Sequence, residues 1–312
     1  MSTPEERAVQ EALPMDATEA EILEKLKKDL GEDMIAKMSL TQVLQCIRGW
    51  QTEKDRYDAT ITNVRRIIEF KEQARTYDLL TEPNEDVDFF LKHWGSEIYG
   101  QDAEGHYIWM EGVRVIHAPE LLDRFDDEHM KNTRSVLMEA LEIKKGNVFR
   151  DDQNPIYKHI YVFDLSGVAV SHFSAGVRRV VKNVVVEMGN IYPESVTKMI
   201  FVNAPFIFRA IWGTITPWLH PITKEKTQIV GSGKAIIKAF EKAGVSIDNV
   251  PESLGGTCKK TTLTELIEKW RVEGLPGSKE KAAGGATSKV ELQIDGLSEG
   301  VAKVDVGKEA AA

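Results

Sequence analysis

Cysteine is scarce in this chain, with Cys46 and Cys258 the only two among 312 residues. Two thiols cannot build the disulfide framework of a small secreted domain, and so few of them indicate a reducing compartment. The first ten residues, MSTPEERAVQ, also lack a basic segment followed by an apolar run, so no secretory signal is expected. The sequence therefore predicts a cytoplasmic protein.

An excess of basic residues is missing as well. Lysine and arginine number 40 against 49 aspartates and glutamates, which gives a net charge of −9. Proteins that bind nucleic acid normally need a basic footprint to displace counterions from the phosphates. We expect no nucleic-acid partner.

No long uncharged apolar run is present either. The most apolar segment, Ala204–Ile222, is interrupted by Pro205, Arg209, Pro217 and Pro221. The helix that these prolines allow has about 11 residues and a length of about 16 Å, half of a bilayer core. The segment is too short to span a membrane, and its apolar character needs another explanation.

What the chain does have is enough apolar residues for a sizeable core, at 42% of the composition. Aromatic residues are absent from 274–312, so we expect that tail to be mostly disordered. Two alternating segments in it, VELQI (290–294) and VAKVDV (301–306), allow a weak hairpin.

The apolar periodicity predicts an α/β fold. Residues 16–80 have helical spacing and form a predicted N-terminal helical module, and strands alternate with helices after about residue 95. That alternation indicates a mostly parallel sheet with helical crossovers. The predicted strands are 106–112, 158–165, 198–204 and 226–231, and the predicted helices between and after them are 119–145, 170–191 and 234–243.

Common catalytic and metal-binding signatures fail. Gly233 and Lys234 lack both the glycine five residues earlier, where Gln228 stands, and the following serine or threonine, where Ala235 stands. The chain's seven histidines show no HExxH spacing. We expect no catalytic residues, no metal and no enzyme.

Five segments occur in an order that resembles one family. They are IYVFDLSGV (160–168), IYPE (191–194), KMIFVNAPFIF (198–208), ITPWLHPITKEKTQIVGSG (215–233) and LGGTC (254–258). This order resembles the CRAL-TRIO lipid-binding domain, and more closely the phosphatidylinositol/phosphatidylcholine transfer proteins of the secretory pathway. The resemblance covers roughly 20–260, with the lipid-binding domain itself over 90–260.

The resemblance implies a sheet that forms the floor of an apolar lipid pocket, closed by a movable gate helix over Phe206–Thr216. The apolar segment would then keep acyl chains out of water during exchange with a membrane. The alternative is that these side chains are ordinary core. The expected gate residues are Phe206, Phe208, Ile211 and Trp212.

The resemblance also implies a head-group site at Glu194, Thr223 and Lys226. Lys226 would neutralise a phosphate, Thr223 would donate to it, and Glu194 would orient the lysine or accept from inositol hydroxyls. The alternative for Glu194 and Lys226 is a purely structural ion pair.

Two family positions differ here. The Arg-Lys pair that reaches the inositol phosphate is replaced by Trp50 and Gln51, with only Arg48 basic nearby. The Ser-x-Thr of choline-lipid binding is replaced by His159 and Tyr161, which strand alternation places on one cavity face with Phe163. Phosphatidylcholine binding is therefore not expected.

His159 and Tyr161 also suggest the family's haem-binding branch, because tyrosine can ligate haem iron. That branch is expected to carry its tyrosine just after the strand aspartate, where this chain has Leu165. Haem binding is thus the weaker alternative. The other alternative is that His159 and Tyr161 narrow the cavity for a smaller apolar ligand.

Three basic residues share one side of the predicted helix 170–191 and could contact anionic lipid: Arg178, Arg179 and Lys182. An ordinary solvated helix face explains them equally well.

The sequence as a whole predicts a cytoplasmic lipid-binding and lipid-transfer protein that contacts membranes transiently. Its ligand is predicted to be an inositol phospholipid, with no cofactor besides the bound lipid. One alternative is a sterol, retinoid or tocopherol-like ligand. The other is a scaffold that presents lipid to a partner enzyme, with the tail 274–312 as the contact to the protein partner.

Overall fold

A mixed sheet forms the centre of the fold, and helices cover both of its faces. The computed structural model describes residues 10–148, 152–219 and 221–276, with only the backbone described at 171 and 209–211. Six strands of the described chain form one sheet in the order β5-β4-β3-β2-β1-β6. They are β1 (Glu97–Gln101), β2 (Tyr107–Gly112), β3 (His159–Asp164), β4 (Val196–Val202), β5 (Thr227–Ile229) and β6 (Thr261–Thr262).

Four neighbouring strands, β2 to β5, run parallel, whereas β1 is antiparallel to both β2 and β6. The predicted α/β class with a mostly parallel sheet is confirmed. Because β2 to β5 point the same way, their amino ends share one edge of the sheet, here called the amino edge. Their carboxyl ends share the opposite edge, the carboxyl edge.

Helices precede the sheet, as predicted. Asp16 caps the first of them with a reciprocal capping box to Glu19, and Gly31 ends it with a φ of 91°. Only glycine adopts that conformation readily. The helices before β1 are α1 (Ala17–Leu30), α2 (Glu32–Ile35), α3 (Leu40–Gly49), α4 (Arg56–Gln73), α5 (Thr76–Thr81) and α6 (Glu85–His93).

The later helices are less regular than predicted. The expected helix over 119–145 is two helices, because Phe125 is extended and the Asp126 carboxylate caps a new start by accepting from the His129 N–H at 2.8 Å. The expected helix over 170–191 begins as a 3₁₀ turn and changes to a π-helix at Val181–Val186. The later helices are α7 (Ala118–Arg124), α8 (Asp127–Lys145), α9 (Ala175–Val180), α10 (Glu187–Ile191), α11 (Phe206–Ile215), α12 (Pro221–Glu225), α13 (Lys234–Lys242) and α14 (Leu263–Glu273).

Two apolar clusters form the core, one on each face of the sheet. Ile160 and Val162 of β3 pack with Phe240 of α13 on one face. Tyr161 and Trp109 belong to the larger cluster on the other face, with the N-terminal helices, α8 and the π-helix. Alternation along each strand produces this division. The second face is also covered by α11, the predicted gate helix, whose Phe208 and Trp212 contact Phe201.

The predicted hairpin and most of the predicted tail, 277–312, lie outside the described residues. Over the described residues, none of the helices has both the length and the apolar character that a membrane span requires.

Candidate functional site

Three charged residues meet at the amino edge of the sheet. Lys158 stands directly before β3, Glu194 two residues before β4, and Lys226 directly before β5. The Glu194 carboxylate lies 3.0 Å from the Lys158 ammonium and 3.4 Å from the Lys226 ammonium. We call these three residues the amino-edge cluster. Their meeting follows from parallel strands, whose amino ends come together however far apart they are in sequence.

Local backbone geometry aims Glu194 at the two lysines. Its φ is 51°, in the left-handed region that residues other than glycine rarely adopt. The Ser195 hydroxyl donates to the Tyr192 carbonyl at 2.7 Å and closes the turn. A left-handed residue costs about 1–2 kcal/mol, and strain of this kind is common at functional sites.

The cluster is nearly buried, and its charges depend on one another. Burial alone would raise the pKa of Glu194, but the charges of Lys226 and Lys158 outweigh burial and lower that pKa. Burial would likewise lower the pKa of Lys158, yet its pKa is raised by Glu194 together with Tyr157 and Glu11. Glu194 and Lys158 are therefore both ionised at neutral pH.

Thr223 lies in α12, three residues before Lys226. Its carbonyl accepts from the Thr227 hydroxyl at 2.7 Å, which fixes the passage from α12 into β5. Lys226 donates to the Val196 carbonyl at 3.0 Å. The structure therefore brings Glu194 and Lys226 into contact and places Thr223 on the element that leads into Lys226.

The end of α3 lies against the loop that carries Glu194. A Cβ atom on Gly49 would stand 3.0 Å from the Pro193 Cβ, and the Gln45 amide donates to the Pro193 carbonyl at 3.4 Å. Trp50 and Gln51, which replace the family's basic pair, follow directly. Gln51 hydrogen-bonds the Gln10 side chain at 3.1 Å, so a neutral amide stands where a cation is expected.

Arg48, the basic residue retained in that motif, is structural. It makes a buried, two-pronged ion pair with Glu19, with nitrogen–oxygen distances of 2.8 and 3.0 Å. The third nitrogen, Nη1, donates to the Gln10 carbonyl at 2.7 Å and to the Tyr157 hydroxyl at 3.3 Å, and Nη2 also donates to the Leu13 carbonyl at 3.1 Å. Such saturation leaves the guanidinium no donor for a phosphate.

The predicted cavity strand is packed against its neighbour β2. His159 and Tyr161 are buried, and Trp109 lies between them with ring centroids at 5.3 and 5.0 Å. Tyr161 then faces Phe163 at 6.4 Å, and Phe163 faces Phe201 at 6.0 Å. A row of rings thus runs along this face of the sheet toward α11.

A buried acid anchors the row. Glu111 accepts from Tyr161 at 3.0 Å and from Trp94 at 2.8 Å, and Arg134 holds both of its oxygens at 3.0 and 3.1 Å. Burial and the charge of Glu111 raise the pKa of Tyr161 well above its usual value. Tyr161 therefore stays a neutral hydroxyl.

His159 is fully buried and electrically neutral. Burial, followed by the positive charges of Lys145 and His106, lowers its pKa well below the usual range. Its Nδ1 lies 3.4 Å from the Lys145 ammonium, and within the described chain its Nε2 has no hydrogen-bond partner. Because an ammonium can only donate, Nδ1 is the acceptor and the neutral ring carries its proton on Nε2, which can therefore donate a hydrogen bond.

The predicted gate helix is α11, and two of its aromatic side chains close onto the row of rings. Phe208 is 3% exposed, and Phe208 and Trp212 lie 5.5 and 4.9 Å from Phe201. Phe206, in contrast, is 91% exposed. The side chain of Ile211 is outside the described part of the structure. We call Trp109, Tyr161, Phe163, Phe201 and Trp212 the aromatic row.

The three basic residues of the predicted membrane strip are all exposed. Arg179 pairs with Asp127 at 3.0 Å, and Arg178 donates to the Phe173 carbonyl at 2.9 Å. Lys182 lies on the π-helix. The pairing of Arg179 reduces the positive charge that this strip could offer to a lipid surface.

One group of possible metal ligands, Asp102, Glu104 and His106, lies in the turn before β2. Both ring nitrogens of His106 are already engaged at 2.9 Å, Nδ1 with Asp102 and Nε2 with Glu11. These contacts explain the group as a hydrogen-bond network that fastens the N-terminal segment to the sheet.

Sequence reasoning missed Lys158, although Lys158 makes the shorter of the two contacts to Glu194. The sequence could have indicated Lys158 by its position directly before a predicted parallel strand, because Lys226 has the same position relative to β5. It also missed Lys198 and Lys242, which line a pocket beside Lys226. Their proximity depends on how α13 packs on the sheet.

The CRAL/TRIO domain model matches residues 92–256, more than half of the chain, and the match includes the amino-edge cluster, the aromatic row and α11. The chain belongs to the CRAL/TRIO family. The family match ends within the LGGTC segment and leaves the helices α1 to α5 outside it.

Similar proteins support this CRAL/TRIO assignment. The phosphatidylinositol/phosphatidylcholine transfer protein SFH7 of Arabidopsis thaliana is 27% identical over 179 residues, 56% of this chain and 31% of SFH7. SFH14 of the same plant is 22% identical over 251 residues, 78% of this chain and 42% of SFH14. The chain therefore spans less than half the length of these curated relatives.

A solved structure shares the fold. The crystal structure of Sfh5 superposes with a TM-score of 0.56 over 83% of this chain and 98% of that one, at 16% identity. At that identity the similarity establishes the architecture alone.

Proposed function

We propose that this protein binds an inositol phospholipid and transfers it between membranes. The observation that carries the proposal is the amino-edge cluster, in which two lysines and one glutamate meet beside the strands of a lipid-binding fold. The relatives named as phosphatidylinositol/phosphatidylcholine transfer proteins support the ligand class. The proposal contains no covalent step.

The head group would exchange partners within the cluster. Lys226 is the most exposed member, and its ammonium can leave Glu194 for a lipid phosphate. The Glu194 carboxylate, still held by Lys158, then accepts from inositol hydroxyls. Gln51 is neutral where a cation is expected. The site therefore offers fewer positively charged contacts to the lipid phosphate.

The acyl chains would lie along the aromatic row, under α11. Each CH₂ group moved from water is worth about 0.8 kcal/mol, so the protein must replace the bilayer with an equally apolar surface. Opening α11 separates Phe208 and Trp212 from Phe201. The exposed Phe206 would touch the membrane while this happens, and the protein would otherwise be cytoplasmic.

Choline lipids are not expected as ligands. The positions that take serine and threonine in choline-lipid binding are His159 and Tyr161, and both are buried among aromatic rings. Replacing small hydroxyl side chains with these rings removes both the space and the exposed hydroxyls.

Transfer of labelled phosphatidylinositol between vesicles tests the proposal. The wild type should transfer phosphatidylinositol and not phosphatidylcholine, and Lys226→Ala should lose most of that transfer. The control Lys238→Ala removes an exposed lysine of α13 and should transfer normally. A wild type that neither binds nor transfers phosphatidylinositol would contradict the proposal.

A second candidate ligand rests on His159. Its buried Nε2 carries the proton of the neutral ring, lacks a partner among the described residues and could donate to the hydroxyl oxygen of a sterol, retinoid or tocopherol-like molecule. Ligation of haem iron by the same nitrogen would require the other tautomer, with the proton on Nδ1. Native mass spectrometry of the purified protein separates these ligands from a phospholipid, and a Soret band identifies haem.

A further inference from the structure

A pocket adjoins the amino-edge cluster on the side of α13. Its volume is about 440 Å³, and it is lined by Lys158, Lys198, Lys226 and Lys242. Pockets that hold small ligands typically have volumes of about 300–1,000 Å³. The pocket is thus large enough for a small polar molecule, and the four lysines that line it favour an anion.

Strand pairing keeps the pocket open at the edge of the sheet. The first residue of β4 that pairs with β5 is Met199, opposite Thr227. The residues from Val196 to Lys198 therefore extend beyond β5, so that on this side none of the described strands pairs with that part of β4, which is paired with β3 on the other side. The Lys198 ammonium donates to the Ala243 carbonyl at 2.8 Å, which holds it at the pocket wall.

The charges in and around the pocket are unbalanced. Glu225 lines it, and Glu194 bridges Lys158 and Lys226 from the adjoining cluster. The lining itself thus has four ammonium groups and one carboxylate, in a protein whose net charge is −9. In the described chain, neither Lys198 nor Lys242 has a carboxylate within salt-bridge distance.

We propose that this pocket binds a phosphate group on the ring of a phosphorylated inositol. The inference rests on the proposed function, because Lys226 lines both the pocket and the head-group site. Lys226 meets the phosphate that joins the ring to its lipid, while Lys198 and Lys242 meet the additional phosphate. A dianionic phosphomonoester matches the excess charge better than a singly charged diester does.

The phosphorylated ring could belong to a membrane phosphoinositide or to a soluble inositol phosphate. Vesicles that contain phosphatidylinositol 4-phosphate or plain phosphatidylinositol report on the lipid, and calorimetry with inositol 1,4,5-trisphosphate reports on the soluble molecule. The wild type should bind vesicles with phosphatidylinositol 4-phosphate more tightly than vesicles with plain phosphatidylinositol, or should bind the soluble trisphosphate. Raising the salt concentration should weaken this preference for phosphorylated inositol.

Variants locate the preference in the pocket. Lys242→Gln and Lys198→Gln should each reduce it about five- to tenfold, the loss expected for one charge-assisted hydrogen bond. Lys242 is exposed, so its variant should fold normally. Lys238→Gln removes the same charge from the same helix one turn earlier, outside the pocket lining, and should change nothing.

The outcomes separate this inference from the proposed function. Transfer of phosphatidylinositol without any preference for phosphorylated forms overturns the pocket assignment and leaves the proposed function standing. A preference that Lys238→Gln reduces as much as Lys242→Gln also overturns it, because general charge would then be the cause. Absence of both transfer and binding rejects both proposals.

Discussion

The two edges of the sheet differ in chemistry. At the amino edge stand ionisable groups that precede β2, β3, β4 and β5: His106, Lys158, Glu194 and Lys226. Beyond the carboxyl edge the chain exposes apolar side chains, with Phe206 91% and Val170 71% exposed. The difference mirrors a phospholipid, whose head is charged and whose chains are apolar. Under the proposed function, the head would lie at the amino edge and the chains would enter beside α11.

The largest expected effect is at the amino edge. Glu194→Ala removes the acid shared by Lys158 and Lys226 and leaves a buried lysine without its carboxylate. Breaking a buried ion pair costs about 3–5 kcal/mol, and urea unfolding measures the loss. The control Glu187→Ala removes an exposed pair with Arg66 at 3.8 Å and should cost less than about 1 kcal/mol. If Glu194→Ala loses no more unfolding free energy than Glu187→Ala, the cluster contributes no more to stability than an exposed ion pair does.

At the gate, Phe208→Ala should destabilise the protein by about 3 kcal/mol. Phe208 is buried against Phe201 and Trp212, and truncating a buried phenylalanine leaves a cavity. Thermal unfolding followed by circular dichroism measures the change. A loss below about 1 kcal/mol would indicate that α11 is open in solution.

The amino edge should also be sensitive to alkaline pH. Burial would lower the pKa of His106, but its hydrogen bonds to Asp102 and Glu11 raise that pKa to about 9, from 6.5 in the unfolded chain. The stabilisation is fully present below pH 6.5 and is lost as the pH rises through 9. At 1.36 kcal/mol per unit, the loss is at most about 3 kcal/mol.

Urea midpoints at pH 6, 7.5 and 9 measure this loss. His106→Gln should be less stable than the wild type at pH 6 and should change little over the same range. A wild type with constant stability between pH 6 and 9 would rule out a charged His106 in the folded protein.

The smallest effect on stability is expected from Phe206→Ser. An exposed side chain contributes within about 0.5 kcal/mol, so unfolding should be unchanged. Vesicle transfer should slow severalfold if Phe206 enters the membrane, whereas binding of lipid at equilibrium should persist. Normal transfer would remove Phe206 from the proposed membrane contact.

Local patterns predicted much of this arrangement. The continuous apolar runs of β3 and β4 predict buried parallel strands, and the prolines around α11 predict the bounds of the gate helix to within a residue. Strand alternation placed His159, Tyr161 and Phe163 on one face, and their successive ring contacts lie on that face.

The features that the sequence did not predict depend on distant contacts. Strand β1 is only five residues long and is completed by the two-residue β6. The break at Phe125 exists because that residue packs into the core, where its ring meets Phe89 and Phe90. Lys158 gains its role only when β3 and β4 lie side by side.

The contacts of Glu11 have a consequence for the order of folding. Its carboxylate accepts from the Tyr157 N–H at 2.7 Å, across 146 residues of sequence, and from His106 across 95. Contacts that close such long loops form late, because their entropy cost is repaid only once the intervening chain is structured. This segment should therefore be among the last to gain protection from hydrogen exchange during refolding, although it precedes the helices in sequence.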